Sequence, residues 1–566
     1  MMTEYFGIIA MFGIALAIGI PLGKYIAKVY SGEKNFMDFI SPIEKLIFRL
    51  CGINPDKEMD WKQHMVALLT INMIWFLYAM FMLMTQKYHF WNPDNNPSMS
   101  PELAFNTSIS FMTNTNWQNY SGEGSASYLT QIAVLTFLQF VSAATGMAAL
   151  VVIFNAFRDK VTDKLGNFYN YFVKSITRIL LPISFFIAII FLFNGMPQTF
   201  KGKDTIKTLH GDIVKVSRGP VASMVAIKHL GTNGGGFFGA NSAHPFENPN
   251  YLTNMTEMIA QWIIPIAMVF AFGYYIKRKK LSRIIFGVMT LGFLLLVIPT
   301  IYYEMQRSPI ITKMGINQLS GNMEGKEVRF GTIASAFWSI VTTVISTGSV
   351  NSMHDSFTPI GGMMQLLAMM VNAFYGGCGV GMLNYFIFLI ITVFIAGLMV
   401  GRTPEFLGRK IEAKEMKIAV MVTLLASVVV KGGTAIAVFL YNSNPVSHAV
   451  WLTNPSYHGF SEMLYAFTSE FANNGSSFAG LNGNTRFWNF AGGLAMILGR
   501  YLPIIGPIAI AGSLAGKKVI PESAGTLRTD TLTFGIVTFA VIFITTALLF
   551  FPALCLGPLA EHFSLN

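Results

Sequence analysis

The stretch LGTNGGGFFGANSAHPFENPN, residues 230–250, decides the fold. Its Gly234, Gly236 and Gly239 spell G-x-G-x-x-G, and Glu257 follows at a distance suited to a dinucleotide fingerprint. That reading requires a strand before the glycines, a helix after them and a βαβ unit around both. The surroundings supply none of these. The 566 residues are 53% hydrophobic and only 12% charged, with a mean hydropathy of +0.52, far from soluble averages. In a chain with 51 glycines, one match is weak evidence. No G-x-x-x-x-G-K-S/T loop occurs either, so any energy from ATP must enter through another chain.

Outward from this stretch, ten mostly apolar segments of bilayer-spanning length recur, near residues 4–27, 64–85, 128–155, 173–194, 255–276, 284–304, 363–398, 417–441, 488–514 and 532–555. Their spacing predicts an all-α polytopic membrane protein with no soluble domain of ordinary size between spans. Every second connection is basic: Lys24 through Lys62, Arg158 and Lys164, the KRKK run at 277–280, Arg402 through Lys417, and Lys517 through Arg528. Those loops are expected in the cytoplasm. The first apolar run has no positive residue before it, so it reads as an uncleaved span, with the N-terminus and, after ten crossings, the C-terminus outside. The net charge of +11 is largely this bias and points to anionic lipid headgroups, not to nucleic acid. The outer connection 195–230 is also basic, with Lys201, Lys203, Lys207, Lys215, Arg218 and Lys228, but longer loops translocate with less regard to charge. Cys51, Cys378 and Cys555 are too scattered for a disulfide framework or a zinc site and are expected to be packing residues.

The quoted stretch is one of four. The outer connections contain LAFNTSISFMTNTNWQNYSGE (103–123), VASMVAIKHLGTNGGGFFGANSAHPFENP (221–249), TIASAFWSIVTTVISTGSVNSMHDSF (332–357) and SEMLYAFTSEFANNGSSFAGLN (461–482). Each begins with a helix-compatible segment too short to cross a bilayer and ends in Thr, Ser, Asn and Gly. The turning points fall at Thr115-Asn116, Asn233-Gly234, Thr347-Gly348 and Asn474-Gly475. Any one such cluster is ordinarily a surface turn. Four of them, each after a short apolar segment and all on one side, read as span, pore helix, filter strand, span. Non-helical backbone at membrane depth survives only when buried in protein or lining a wet cavity. Carbonyl filters replace an ion's hydration shell with backbone oxygens, and aiming them needs residues that accept positive φ, Gly first and Asn next. The turns are nearly free of Asp and Glu, which disfavours calcium or magnesium and favours a large monovalent cation.

The predicted units are 1–62 (first span and basic loop), 63–160, 161–280, 281–415 and 416–517 (four pore repeats) and 518–566 (last span). The seventh apolar segment, Met363 to Met399, is too long for one straight crossing and is expected to break at Gly376, Gly377, Gly379 and Gly381. Close packing through small residues is the alternative use of such glycines.

SFMTNTNWQ, AIKHLGTNGGGFFGANSAHPFENP, MEGKEVRFG, SMHDSFTPIGGM, FIAGLMVGRTPEFLGRKIEAKEMK and NPSYHGFSEMLYAF closely resemble the potassium-binding, channel-like A subunit of the bacterial Kdp potassium-transporting ATPase, across essentially the whole chain. The resemblance implies a fold of the potassium channel and symporter superfamily, a P-type ATPase partner that is the phosphorylated component of the Kdp complex, and the small single-span Kdp subunits. It also implies a potassium filter formed by Thr113, Thr115 and Asn116; Thr232, Asn233 and Gly234; Ser346, Thr347 and Gly348; and Asn473, Asn474 and Gly475, with Gln118 at its mouth. Some members of that family have Cys at the position of Thr347; either residue presents a carbonyl. By the same resemblance Arg402 gates the broken seventh span and Arg500 lines an exit tunnel; an anchor at the lipid interface is the alternative for Arg402, and snorkelling to it for Arg500. Two rivals are an autonomous potassium channel or symporter, and a membrane enzyme using His244, Glu247, His354 and Asp355. These four fall in two unrelated loops and read better as residues bracing the filters.

Overall fold

The computed structural model describes residues 2–158, 161–307, 309–399, 401, 403–521 and 528–565. Among these, ten helices are long and apolar enough to span a bilayer: Glu4–Ser31, Trp61–Tyr88, Thr130–Arg158, Phe168–Phe193, Tyr251–Tyr275, Lys279–Met305, Val380–Met399, Ala413–Ser443, Arg486–Ala515 and Leu532–Leu565. Short polar side chains set their starts. Asp60 accepts from the backbone N–H of Gln63 at 2.9 Å while the Gln63 side chain returns to the Asp60 N–H, and Asn250 and Thr253 make the same reciprocal cap before the fifth span.

Four shorter helices lie between the spans. Pro101–Met112, Val221–Leu230, Gly331–Val344 and Tyr457–Ala472 are 12, 10, 14 and 16 residues long. At 1.5 Å per residue none of them crosses the roughly 30 Å hydrocarbon core. Each is buried almost throughout. The spans that follow them are the inner ones, with 89, 78, 67 and 67% of the most apolar window buried for spans three, five, seven and nine. The spans that precede them have only 28, 39, 44 and 22% buried. That alternation, repeated four times, gives four units of outer span, pore helix, turn and inner span.

The seventh apolar segment breaks as its length requires. A helix Pro359–Val371 ends at Asn372, whose φ is +43°, and Val380–Met399 resumes the crossing. Between them the backbone takes positive φ again at Tyr375, Gly377 and Gly379. Arg402 lies outside the described residues.

Three features depart from the sequence reading. Lys228 is not a loop charge: it sits in the second pore helix, wholly buried against Glu247, which removes one residue from the apparent excess of outer basic charge. Cys51 is exposed, so it is not a packing residue, whereas Cys378 is buried in the break of the seventh span. The connection before the second pore helix folds into a hairpin, Asp204–Lys207 antiparallel to Ile213–Val216.

Candidate functional site

All four pore helices end alike. The αL residue just past each helix is Asn114, Thr232, Ser346 or Asn473, with φ of +64, +49, +55 and +53°. The next residue donates its backbone N–H to the carbonyl five positions back: Thr115 to Ser110 at 2.9 Å, Asn233 to Lys228 at 2.8 Å, Thr347 to Thr342 at 2.9 Å and Asn474 to Ser469 at 2.9 Å. This is the six-to-one hydrogen bond of a Schellman cap. Two residues after the first αL position comes a second, at Asn116, Gly234, Gly348 and Gly475. A β-branched Thr and a Ser at positive φ are sterically costly, so the surrounding packing holds these turns in shape. The intervening residue keeps ordinary φ, so the sign of φ alternates along each turn.

The turns close a ring in chain order. A Cβ on Gly234 would overlap the carbonyl oxygen of Thr347, one on Gly348 that of Asn474, and one on Gly475 that of Thr115. The first repeat has Asn116 in place of glycine and meets the second through side chains, Asn116 Nδ2 donating to Asn233 Oδ1 at 3.1 Å and Asn114 Nδ2 to Thr232 O at 2.8 Å. Repeat one thus abuts two, two abuts three, three abuts four, and four abuts one. The C-terminal ends of four helices converge here, each carrying about half a negative charge from its macrodipole. Residues 113–118, 231–236, 346–351 and 473–478 contain no Asp or Glu. The ring therefore offers neutral oxygens in a mildly negative field.

Around the ring, polar side chains hold the turns in place. Ser142 Oγ donates to Asn114 Oδ1 at 2.8 Å, and Gln139 Nε2 to Gly235 O at 3.0 Å. Asn241 Nδ2 donates to Gly234 O at 2.6 Å, and Asn473 Nδ2 to Thr115 Oγ1 at 2.9 Å. Gln118 grips Gly236 from both sides, Nε2 to its carbonyl at 3.1 Å and Oε1 from its N–H at 3.0 Å. Thr113 holds a different place from its expected partners: it is the residue before the αL position, its hydroxyl 2.8 Å from that of Thr115. Asn114 takes the place that Thr232, Ser346 and Asn473 hold in the other repeats.

The four residues weighed for catalysis stand apart. His244 stacks on Phe238 with ring centroids 3.7 Å apart, and burial lowers its imidazole pKa. Glu247 pairs with Lys228 at 2.6 Å and accepts from the Phe238 N–H at 2.8 Å. His354 meets the Tyr465 hydroxyl at 2.9 Å, and burial pushes its imidazole pKa down to about 3. Asp355 accepts from the Gly480 N–H at 2.9 Å. They tie the second and third loops to the pore helices and do not converge.

The break of the seventh span lies against the inner end of the ring. The Cys378 N–H donates to Thr232 Oγ1 at 2.9 Å, and the Gly377 N–H to Ile345 O. Ser346 Oγ donates to Asn372 Oδ1 at 2.9 Å, and Asn372 Nδ2 to Ala472 O at 3.2 Å. Gly379 packs backbone to backbone on Gly146 of the third span. Arg500, 4% exposed, donates from Nη2 to Ser142 O at 2.8 Å. It is buried below the ring and does not snorkel. A cavity runs from Asn372 and Asn384 past Thr468, Thr423 and Thr546 between spans seven, eight and ten; Arg500 is not on its wall.

Fold and site together define a class: a four-repeat polytopic membrane protein whose re-entrant turns close a carbonyl-rich ring above an interrupted helix. Residues 9–563 match the family described as Potassium-transporting ATPase A subunit, and the chain belongs to that family. It is similar to the potassium-transporting ATPase potassium-binding subunits of Flavobacterium johnsoniae, 62% identical, Flavobacterium psychrophilum, 61%, and Bacteroides thetaiotaomicron, 54%, each over 100% of both chains. Among solved structures, the potassium transporter TrkH from Vibrio parahaemolyticus aligns with a TM-score of 0.49 at 14% identity, covering 89% of this chain and 98% of that one.

Proposed function

We propose that this chain is the potassium-binding subunit of an ATP-driven potassium uptake system in a bacterial cell membrane. The ring at Asn114 to Asn116, Thr232 to Gly234, Ser346 to Gly348 and Asn473 to Gly475 acts as its selectivity filter. The observation that carries this reading is the fourfold alternation of φ sign in turns that abut one another in chain order. Neutral carbonyls at four helix C-termini suit a weakly hydrated monovalent cation, whose water shell they replace. Gln118 holds the outer mouth through Gly236.

The ion enters from the outer side, which carries the pore helices and both termini; the bias of Lys and Arg toward the opposite connections supports this orientation. Gly377 and Cys378 at the foot of the filter close the straight path. The cavity lined by Asn372, Asn384 and Thr468 gives the ion a sideways course within the membrane, toward a P-type ATPase subunit that supplies phosphorylation. Arg500, held on Ser142 O, sets a positive charge beside the inner end of the ring. Single-span subunits complete the assembly, and the basic run Lys277–Lys280 meets anionic lipid headgroups. This chain hydrolyses no nucleotide.

The test is potassium binding and ATP-coupled uptake by the co-expressed complex, wild type against Gly234→Asp, with rubidium and sodium as competitors. The added side chain strikes the Thr347 carbonyl and brings a charge into a neutral ring. Potassium affinity is expected to fall at least 100-fold with assembly intact, roughly 3 kcal/mol. Unchanged affinity and selectivity would sink the filter assignment.

A further inference from the structure

On the face from which the pore helices enter, away from the ring, Asp355, His458 and Glu462 bring one ligand atom each to within 4.8 Å of one another. We propose that these three side chains form a binding site for a divalent transition-metal ion of the zinc or manganese class, joining the third repeat's outer loop to the start of the fourth pore helix.

Donor chemistry selects the ion. One imidazole and two carboxylates suit zinc, manganese or ferrous iron, whereas calcium and magnesium sites are built from oxygen alone. Zinc to ligand distances near 2.0–2.2 Å set a tetrahedral edge of about 3.4 Å, which small side-chain rotations reach from the observed spacing.

Each donor is already aimed by a second partner. His458 Nδ1 lies 2.8 Å from Glu561 Oε1, leaving Nε2 toward Asp355 Oδ1 at 2.9 Å. A carboxylate behind a ligating imidazole is the arrangement that fixes tautomer and ring orientation at metal centres. The other oxygen of Asp355 accepts from the Gly480 N–H at 2.9 Å, and Glu462 Oε1 accepts from Asn454 Nδ2 at 2.9 Å. Glu462 Oε2 is buried with no hydrogen-bond partner, in a residue with no exposed surface. An orphaned carboxylate oxygen at such a place is costly unless something positive meets it. With Glu561 included, three carboxyl groups gather around one imidazole.

The site opens on an outward cavity lined by Asp355, His458 and Glu561 together with Tyr303, Asn322 and His562, which supplies an entry path and room for a water ligand. On binding, the ion takes the place of the Nε2 proton of His458, and that proton leaves to solvent. Through Glu561, occupancy also ties down the C-terminal helix Ala560–Leu565. The site stands on residues distinct from the filter, so it holds or fails independently of the potassium reading.

The experiment uses the purified complex, stripped with a chelator and titrated with Zn²⁺ and separately with Mn²⁺. Bound metal is counted by mass spectrometry, affinity is read by calorimetry, and Co²⁺ absorption reports the ligand geometry. Wild type is expected to hold one ion more than Glu462→Gln, with the His458→Gln variant likewise one short. Glu561→Gln should keep the ion but weaken it about tenfold, because only its orienting partner is lost. Equal metal content in wild type and Glu462→Gln overturns the proposal. If Glu462→Gln and His458→Gln fail to assemble, Glu561→Gln decides: affinity equal to wild type overturns it, and a tenfold loss supports it.

Discussion

Two glycine-rich, non-helical segments lie at the centre of this protein, and they are held in opposite ways. The four turns of the ring are held by symmetry. Each abuts the next until the ring closes, so moving one means moving four; side-chain amides of Asn114, Gln139 and Asn241 hold its backbone carbonyls, and that of Asn473 holds the Thr115 hydroxyl. Among the described residues, the break of the seventh span, residues 372–379, has no counterpart in the other three repeats. It is anchored from above by single bonds, Cys378 N–H to Thr232, Ser346 to Asn372 and Asn372 to Ala472, and from the side by the contact of Gly379 with Gly146. Similar composition thus serves two mechanical ends. A closed ring resists deformation because every displacement meets a neighbour, while a single loop yields when a few hydrogen bonds of about 1 kcal/mol each are exchanged.

The sharpest way to break this contrast is Gly379→Ala. Its φ of +87° disfavours any side chain, and an added methyl overlaps the Gly146 carbonyl. The loop must shift while the ring above keeps its own contacts. Potassium affinity in the co-expressed complex is expected to stay within about threefold of wild type, and potassium-stimulated ATP turnover to drop about tenfold, roughly 1.4 kcal/mol. An affinity loss as large as that of Gly234→Asp would show that loop and ring deform as one body.

The next comparison lies inside the first repeat, between neighbouring residues. Asn114→Gly preserves the αL backbone but removes the amide that serves Gly231 O and Thr232 O and accepts from Ser142. Buried acceptors left without partners cost about 1–3 kcal/mol, so affinity is expected to fall about tenfold. Thr113→Val removes a hydroxyl bonded to Ile109 O and Thr115 Oγ1 within the same turn and should change affinity less than about threefold. Binding titrations that ranked the two in the reverse order would favour Thr113 over Asn114 as the residue that acts on the ion.

Much of this was legible in the residues, for identifiable reasons. Span length is forced by the bilayer, and the ten apolar helices and the break near Gly376 fall where it places them. The central turn residues Thr115, Asn233, Thr347 and Asn474 each make the same backbone hydrogen bond to the carbonyl five positions back, and the Gly and Asn residues that follow them marked the turns in the sequence. Asn114 has no residue type in common with Thr232 or Ser346; counting one back from Thr115, as 232 stands to 233, finds its place in the turn. Gln139 and Ser142 carried a signal too, two polar residues three apart on one face of an apolar span. Lys228 was read as a loop charge because its partner Glu247 is 19 residues along the chain, a pairing that no local pattern reveals.

The finest test asks why the ring tolerates Asn116 where the other repeats have glycine. Asn adopts αL more readily than most residues, and its amide is placed 3.1 Å from Asn233 Oδ1, so the side chain repays its steric cost with a bond to the second repeat. Asn116→Gly makes the four turns uniform and removes that bond. A single neutral hydrogen bond nets about 0.5–1.5 kcal/mol, so potassium affinity should weaken only about threefold, with the preference for potassium over sodium retained, as competition binding would read. If instead affinity rises, the asparagine is strain that the ring carries, and symmetry alone sets its strength. If selectivity is lost with it, the first repeat contributes its side chain as well as its carbonyls, and the four turns are not equivalent.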